Sequence, residues 1–112
     1  MPYDEELADR IRELLAGERG ITEKRMFGGL AFLVHGNMAV SASGQGGLLV
    51  RVDPEETDRL AARDHVRRFQ MRGRPPMDGW LRVDDPGVRT QRQLASWVKR
   101  GVAYARFLPP KR

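Results

Sequence analysis

Cysteine is absent from the chain, which removes together a disulfide framework, a zinc–thiolate centre and a cysteine nucleophile. Histidine is almost absent: only His35 and His65 occur, without the i, i+4 or clustered spacing of a metal site. Long apolar runs are missing too. The longest, Leu30 to Val34, falls far short of the ~20 residues a membrane helix requires. Met1 to Leu15 is acidic and amphipathic, unlike the basic start and apolar core of a signal peptide, so a soluble, cytoplasmic protein is expected.

Catalytic patterns are equally scarce. Ser41, Ser43 and Ser96 lack a Gly-x-Ser-x-Gly context. Gly44-Gln45-Gly46-Gly47 precedes a strand and lacks the Gly-Lys-Ser/Thr of a phosphate loop. Glu55-Glu56 and Asp84-Asp85 fall where helix starts and turns already account for acids. The expectation is a protein that is not an enzyme and uses no cofactor and no metal.

What is present reads as one folded domain over residues 1–112, with 40% hydrophobic and 31% charged residues. Such a length buries roughly two-thirds of its unfolded surface, enough for a core without staples. The net charge of +5 is unevenly spread. Before Ile21, six acids (Asp4, Glu5, Glu6, Asp9, Glu13, Glu18) face three bases; from Arg89 to Arg112 there are seven bases and no acid. This polarity fits a nucleic-acid-binding face, or an acidic first helix and a basic last helix attracting each other or a second subunit.

Tyr3, Leu7, Ile11, Leu14 and Leu15 form a stripe of helical period behind an Asp4 N-cap, with Gly17 and Gly20 as the stop. Four short β-type runs follow: Thr22–Phe27, Leu30–His35, Met38–Ser41 and Leu48–Val52. Gly28-Gly29 is expected as a bend, Gly36-Asn37 as a two-residue hairpin turn and Ser43–Gly47 as a flexible turn. Asp53-Pro54-Glu55-Glu56 opens a second helix running to about Arg63. Val66–Arg72 and Trp80–Val83 are two more strands. Thr90 and Gln93 have capping-box spacing before a last helix that Pro109-Pro110 ends, and Gly101 inside it permits close approach to a sheet. Helices around hairpin-connected strands indicate an α+β layer structure.

One surface stands out. Alternation puts Phe69 and Met71 on one face of their strand, with Arg68, Gln70 and Arg72 on the other. Trp80 and Arg82 lie opposite Leu81 and Val83, and Arg51 stands among Leu48, Val50 and Val52. If the strands are neighbours, Arg51, Arg68, Arg72, Arg82 and Trp80 line a single open face with Arg74 at its margin. Such a face is a solvated sheet surface, a protein interface or a nucleic-acid contact.

The run Lys24-Arg25-Met26-Phe27-Gly28-Gly29 resembles the entry to a hairpin in the TfoX/Sxy N-terminal domain family. Further likenesses are Phe32-Leu33-Val34-His35-Gly36-Asn37-Met38, Val50-Arg51-Val52-Asp53, Gly73-Arg74-Pro75 with Met77 and Gly79-Trp80, and Trp97 to Ala103. They extend from about Tyr3 to Pro110. The resemblance implies a secretion-chaperone-like α-β(3)-α-β(2)-α fold with an antiparallel sheet packed with helices, three strands where the residues suggest four before the second helix. It also implies a regulatory or interaction module, a homodimer, an unknown protein partner, and no catalytic residues. Lys24 and Arg25 become candidate partner contacts beside Arg51, Arg68, Arg72, Arg74, Trp80 and Arg82. Met26, Phe27, Gly28, Gly29, Gly36 and Asn37 are the motif's structural positions.

Overall fold

The computed structural model describes residues 3–26, 28–71 and 73–111. Phe27 and Arg72, both singled out above, lie outside the described residues. The order is α1 (Glu5–Leu15), β1 (Ile21–Met26), β2 (Gly29–Val34), β3 (Asn37–Ala42), β4 (Leu48–Arg51), α2 (Thr57–Ala61), β5 (Val66–Arg68), β6 (Trp80–Val83) and α3 (Gln91–Phe107). This is an α+β fold. The helix and strand order broadly fits the resemblance, but four strands precede α2, as the residues suggest, in place of the three that the resemblance implies. The six strands form one antiparallel sheet in the order β1-β2-β3-β4-β6-β5.

Local chemistry sets the helix ends. The Asp4 carboxylate accepts from the Leu7 N–H at 3.1 Å, and acids fill the first turn of α1 where the helix dipole favours them. Thr90 and Gln93 make the reciprocal capping box of α3. The second helix is shorter than its sequence pattern: Asp53 caps a 3-10 turn at Pro54–Glu56, which runs into α2. Thr57 is fully buried there. Its hydroxyl donates to the Pro54 carbonyl at 2.8 Å and accepts from the Gly79 N–H at 2.7 Å, tying α2 to the entrance of β6.

All three helices contribute to the main core on one face of the sheet. Leu7, Ile11 and Leu15 of α1, Leu60 of α2, and Leu94, Trp97, Val98 and Val102 of α3 meet Leu30, Phe32, Val34, Val40, Val50, Leu81 and Val83 of the strands. Gly101 lies against the Ala39 carbonyl, letting α3 rest directly on β3. A second apolar cluster occupies the other face: Ala31, Met38 and Leu49 are buried, with Met26, Leu33, Phe69 and Trp80 packed over them. Among the described residues, no helix covers that face.

Arg12 joins α1 to the edge strand β1. Its guanidinium donates to both Glu23 oxygens at 2.7 and 2.8 Å and to Asp9 at 2.7 Å. The hydrogen bonds from Arg12 lower the Glu23 carboxyl below its ordinary value, against a smaller opposing effect of burial. A lowered folded-state pKa contributes stability that is fully present above the unfolded value of about 4.3 and lost as pH falls below it. In acid titrations, Glu23→Gln should therefore flatten the stability profile below about pH 4.3, by ~0.2–1 kcal/mol because the pair is solvent-exposed. An unchanged acid limb would show that the pair is not formed in solution.

The charge asymmetry is partly satisfied inside the molecule. Arg106 of α3 donates to Glu18 at 2.8 Å and to the Arg19 carbonyl at 2.9 Å, while Arg100 reaches Glu56 at 3.3 Å. Arg10 of α1 donates to the Val88 carbonyl at 2.9 Å and the Arg89 carbonyl at 3.3 Å. The Arg106–Glu18 pair thus links the basic end of the chain to its acidic end.

Candidate functional site

Pairing decides which side chains share the uncovered face. Arg51 stands opposite Trp80, Leu49 opposite Arg82 and Lys24 opposite Ala31, so Lys24, Arg51, Trp80 and Arg82 all project from it. Arg68 does not. It pairs with Leu81, whose side chain is in the main core, and its guanidinium bonds the carboxylates of Asp58 and Asp78, the latter at 3.2 Å. Asp58 first and Asp78 second raise its pKa above the ordinary value, so it is held charged and paired. The single face expected for Arg51, Arg68, Arg72, Arg82 and Trp80 is corrected accordingly. The phase of β5 is set by Val66 pairing with Val83, which turns Val66 and Arg68 toward the helices and Arg67 and Phe69 the other way.

Arg82 is on the open face but is occupied. Its guanidinium donates to Ser43 Oγ at 3.0 Å and to the Gln45 and Gly46 carbonyls at 3.1 and 2.5 Å, holding the turn between β3 and β4. Arg74 is exposed in the β5–β6 loop, where its carbonyl accepts from Gln70 at 2.9 Å. Arg25 is exposed on β1, in register with core residue Leu30 rather than with the uncovered face.

The remaining side chains converge on a groove of about 650 Å³. It crosses the sheet from Lys24 and Met26 on β1, over Leu33, Met38, Arg51 and Trp80, to Phe69, Met71 and Met77 beyond β5. Four of the chain's five methionines line it, so its apolar surface is unusually polarizable and adaptable. The charged lining residues are Lys24, Arg51 and Lys111, and none is acidic. The Arg51 guanidinium lies 4.9 Å from the Trp80 ring centre and 5.9 Å from that of Tyr104, an arrangement that orients the charge at the groove's end.

The chain's tail forms one wall. The Lys111 N–H donates to the His35 carbonyl at 2.8 Å, and the Asn37 side-chain amide donates to the Pro109 carbonyl at 2.9 Å. The hairpin turn lies one residue earlier than expected: His35 and Gly36 are its positive-φ residues, and Asn37 begins β3. This frees the Asn37 side chain to anchor the tail. Gly36 has φ +84°, and a Cβ there would come within 2.7 Å of the Lys111 Cβ and carbonyl oxygen, so the turn and the tail can meet only at glycine. Gly28 has φ +77° between β1 and β2, and Gly29 sits tight against the Ala42 carbonyl.

With the fold and groove established, comparison with protein families is decisive. The model of the TfoX N-terminal domain matches residues 13–105. The chain belongs to the TfoX N-terminal domain family. No match is found among curated proteins. The family match spans every strand of the sheet and all the groove's lining residues except Lys111. Sequence reasoning found Lys24, Met26, Gly36, Arg51 and Trp80 of this site and missed Leu33, Met38, Phe69, Met71, Met77 and Lys111. The convergent methionines have no regular spacing along the chain, so their number was the only available signal. Among the described residues, no three His, Cys, Asp or Glu side chains gather as a metal site would need, and no helix is long and apolar enough to cross a membrane.

Proposed function

We propose that this TfoX-type domain is a non-enzymatic, cytoplasmic interaction module of regulatory character, receiving a protein partner in the methionine-lined groove. The reading rests on one observation above others: an apolar groove with an all-basic set of charged lining residues lies on a sheet face that no helix among the described residues covers. Apolar surfaces left open in this way mark interaction sites. Family membership supports the regulatory part, and the family is not a known enzyme family. A homodimer remains part of the proposal, formed through another surface. A two-fold contact through the groove would bring together two linings whose charged residues are all basic, with no acid to pair them.

Nucleic acid is the second reading, favoured by Arg51 stacked on Trp80 with Phe69 nearby on the same face. It is weakened because Arg68 and Arg82 are engaged within the molecule.

The test uses the dye 1-anilinonaphthalene-8-sulfonate, which is apolar and anionic, with the native protein and Met71→Glu. Met71 is half-buried in a loop, so the variant should fold. Dye fluorescence is expected to fall about fivefold or more in the variant, as a carboxylate enters the apolar lining. Equal fluorescence would sink the groove as a binding site. Light scattering on the same samples should give a dimer mass for both proteins. Labelled single-stranded RNA that binds the native protein, with affinity falling steeply between about 50 and 200 mM salt, would put nucleic acid first.

A further inference from the structure

We infer that the groove's occupant is an acidic amphipathic helix of the partner protein, lying across the strands with its apolar face on the methionines and its carboxylates toward Lys24, Arg51 and Lys111. The inference rests on the groove being the partner site and adds the chemistry of what fills it.

Backbone accounting argues for a helix. The groove lies over the middle of a sheet whose N–H and C=O groups are engaged between strands, so it cannot supply the ladder of backbone bonds that an extended peptide needs. The strand edges could do so, but the exposed edge strand β1 carries Glu23, Lys24 and Arg25, charges of the kind that discourage pairing. A helix satisfies its own backbone and presents only side chains.

Dimensions agree. The lining runs transversely over six strands, and at about 4.8 Å per strand spacing it spans about 24 Å. A helix of about 16 residues is equally long, and its pitch of about 5.4 Å brings one apolar anchor per turn close to each successive strand. Met26, Leu33, Phe69, Met71, Met77 and Trp80 are all half-buried, packed from below yet open to contact from above. Methionine suits the task because its unbranched side chain adapts to anchors of differing shape.

Charge selects the sign. Lys24 at one end, Lys111 on the tail and Arg51 beside Trp80 surround the apolar strip with no acid among the lining residues. Neither lysine makes a side-chain salt bridge within the described structure, and Arg51 is held by aromatic rings rather than by a carboxylate. Glutamates flanking the apolar stripe of an incoming helix would meet these three cations, whereas lysines there would be repelled.

The test uses labelled amphipathic peptides of about 16 residues, with Leu and Met on one face and Glu along both flanks. A twin carries Lys in place of every Glu. The glutamate peptide is expected to bind about tenfold tighter or better than its twin by fluorescence anisotropy. Lys24→Glu combined with Lys111→Glu, both at exposed positions, should reverse that preference, while Met71→Glu should abolish binding of the glutamate peptide. If both peptides bind alike, or the charge-reversed variant keeps the native preference, the inference is wrong and the groove reading survives. If neither binds while the dye still responds to Met71→Glu, the occupant is not a helix and the inference is again wrong. Loss of the dye response as well would take down the groove reading with it.

Discussion

Phe32→Ala should lower the stability of this domain by about 3–5 kcal/mol, read as a fall in the urea midpoint at unchanged slope. Phe32 is only 1% exposed and is the largest of the fully buried side chains among the described residues. It stands on β2 opposite Val40, at the point where the β2–β3 register shifts between Phe32 and Leu33. The ring belongs to the main core that the helices cover, and β2 is paired on one side with β1 and on the other with β3, so the strand is not free to move in and close the space. A domain of this size is stable by only about 5–15 kcal/mol, so the loss would be a large part of the whole. A change below about 1 kcal/mol would mean that the surrounding side chains collapse into the space and that the packing at the bulge is soft.

Gly101→Leu is expected to destabilise by about 1–3 kcal/mol or more, and even Gly101→Ala should be unfavourable. At an exposed helix position, alanine in place of glycine gains about 1 kcal/mol. Gly101 is buried in the middle of α3, and an ideal Cβ there lies 2.5 Å from the Ala39 carbonyl oxygen and 3.0 Å from a Val40 methyl. The carbonyl is backbone, so the helix must lift from β3 to make room. Ala103, two residues on and exposed, is the internal control: Ala103→Gly should cost about 1 kcal/mol through propensity alone. A stabilised Gly101→Ala would contradict the close approach of helix and sheet.

Much of the fold is legible in the chain because its signals are local. The stripe from Tyr3 to Leu15, the Asp4 cap and the Thr90–Gln93 box each act within a few residues, and all appear where their chemistry puts them. Four strands before the second helix also follow from short runs punctuated by glycine. The expected strand from Val66 to Arg72 ends at Arg68, although the Phe69 N–H still donates to the Trp80 carbonyl at 2.9 Å.

The site was half legible. Alternation correctly separates Trp80 and Arg82 from Leu81 and Val83, and correctly turns Arg68 and Phe69 to opposite sides. It cannot say which side is inside. An apolar Phe69 implies burial beneath the helices only if the sheet has one apolar face, and this sheet has two. Arginine was misleading for a related reason. Its long fork reaches whatever acceptors the fold brings near, and for Arg68 and Arg82 those are Asp58, Asp78 and the turn carbonyls.

The sequence by itself therefore determined the helices, their caps, the strand count and the family, since each depends on spacing within a short stretch of chain or on ordered motifs along it. Only the tertiary structure decided which strand faces meet, which arginines stay unpaired with carboxylates, and that Met26, Met38, Met71 and Met77 come together. Those outcomes depend on the pairing registers of the strands, among them β4 with β6 across the intervening α2 and β5, and a shift of one residue in such a register would turn every side chain on that strand to the other face.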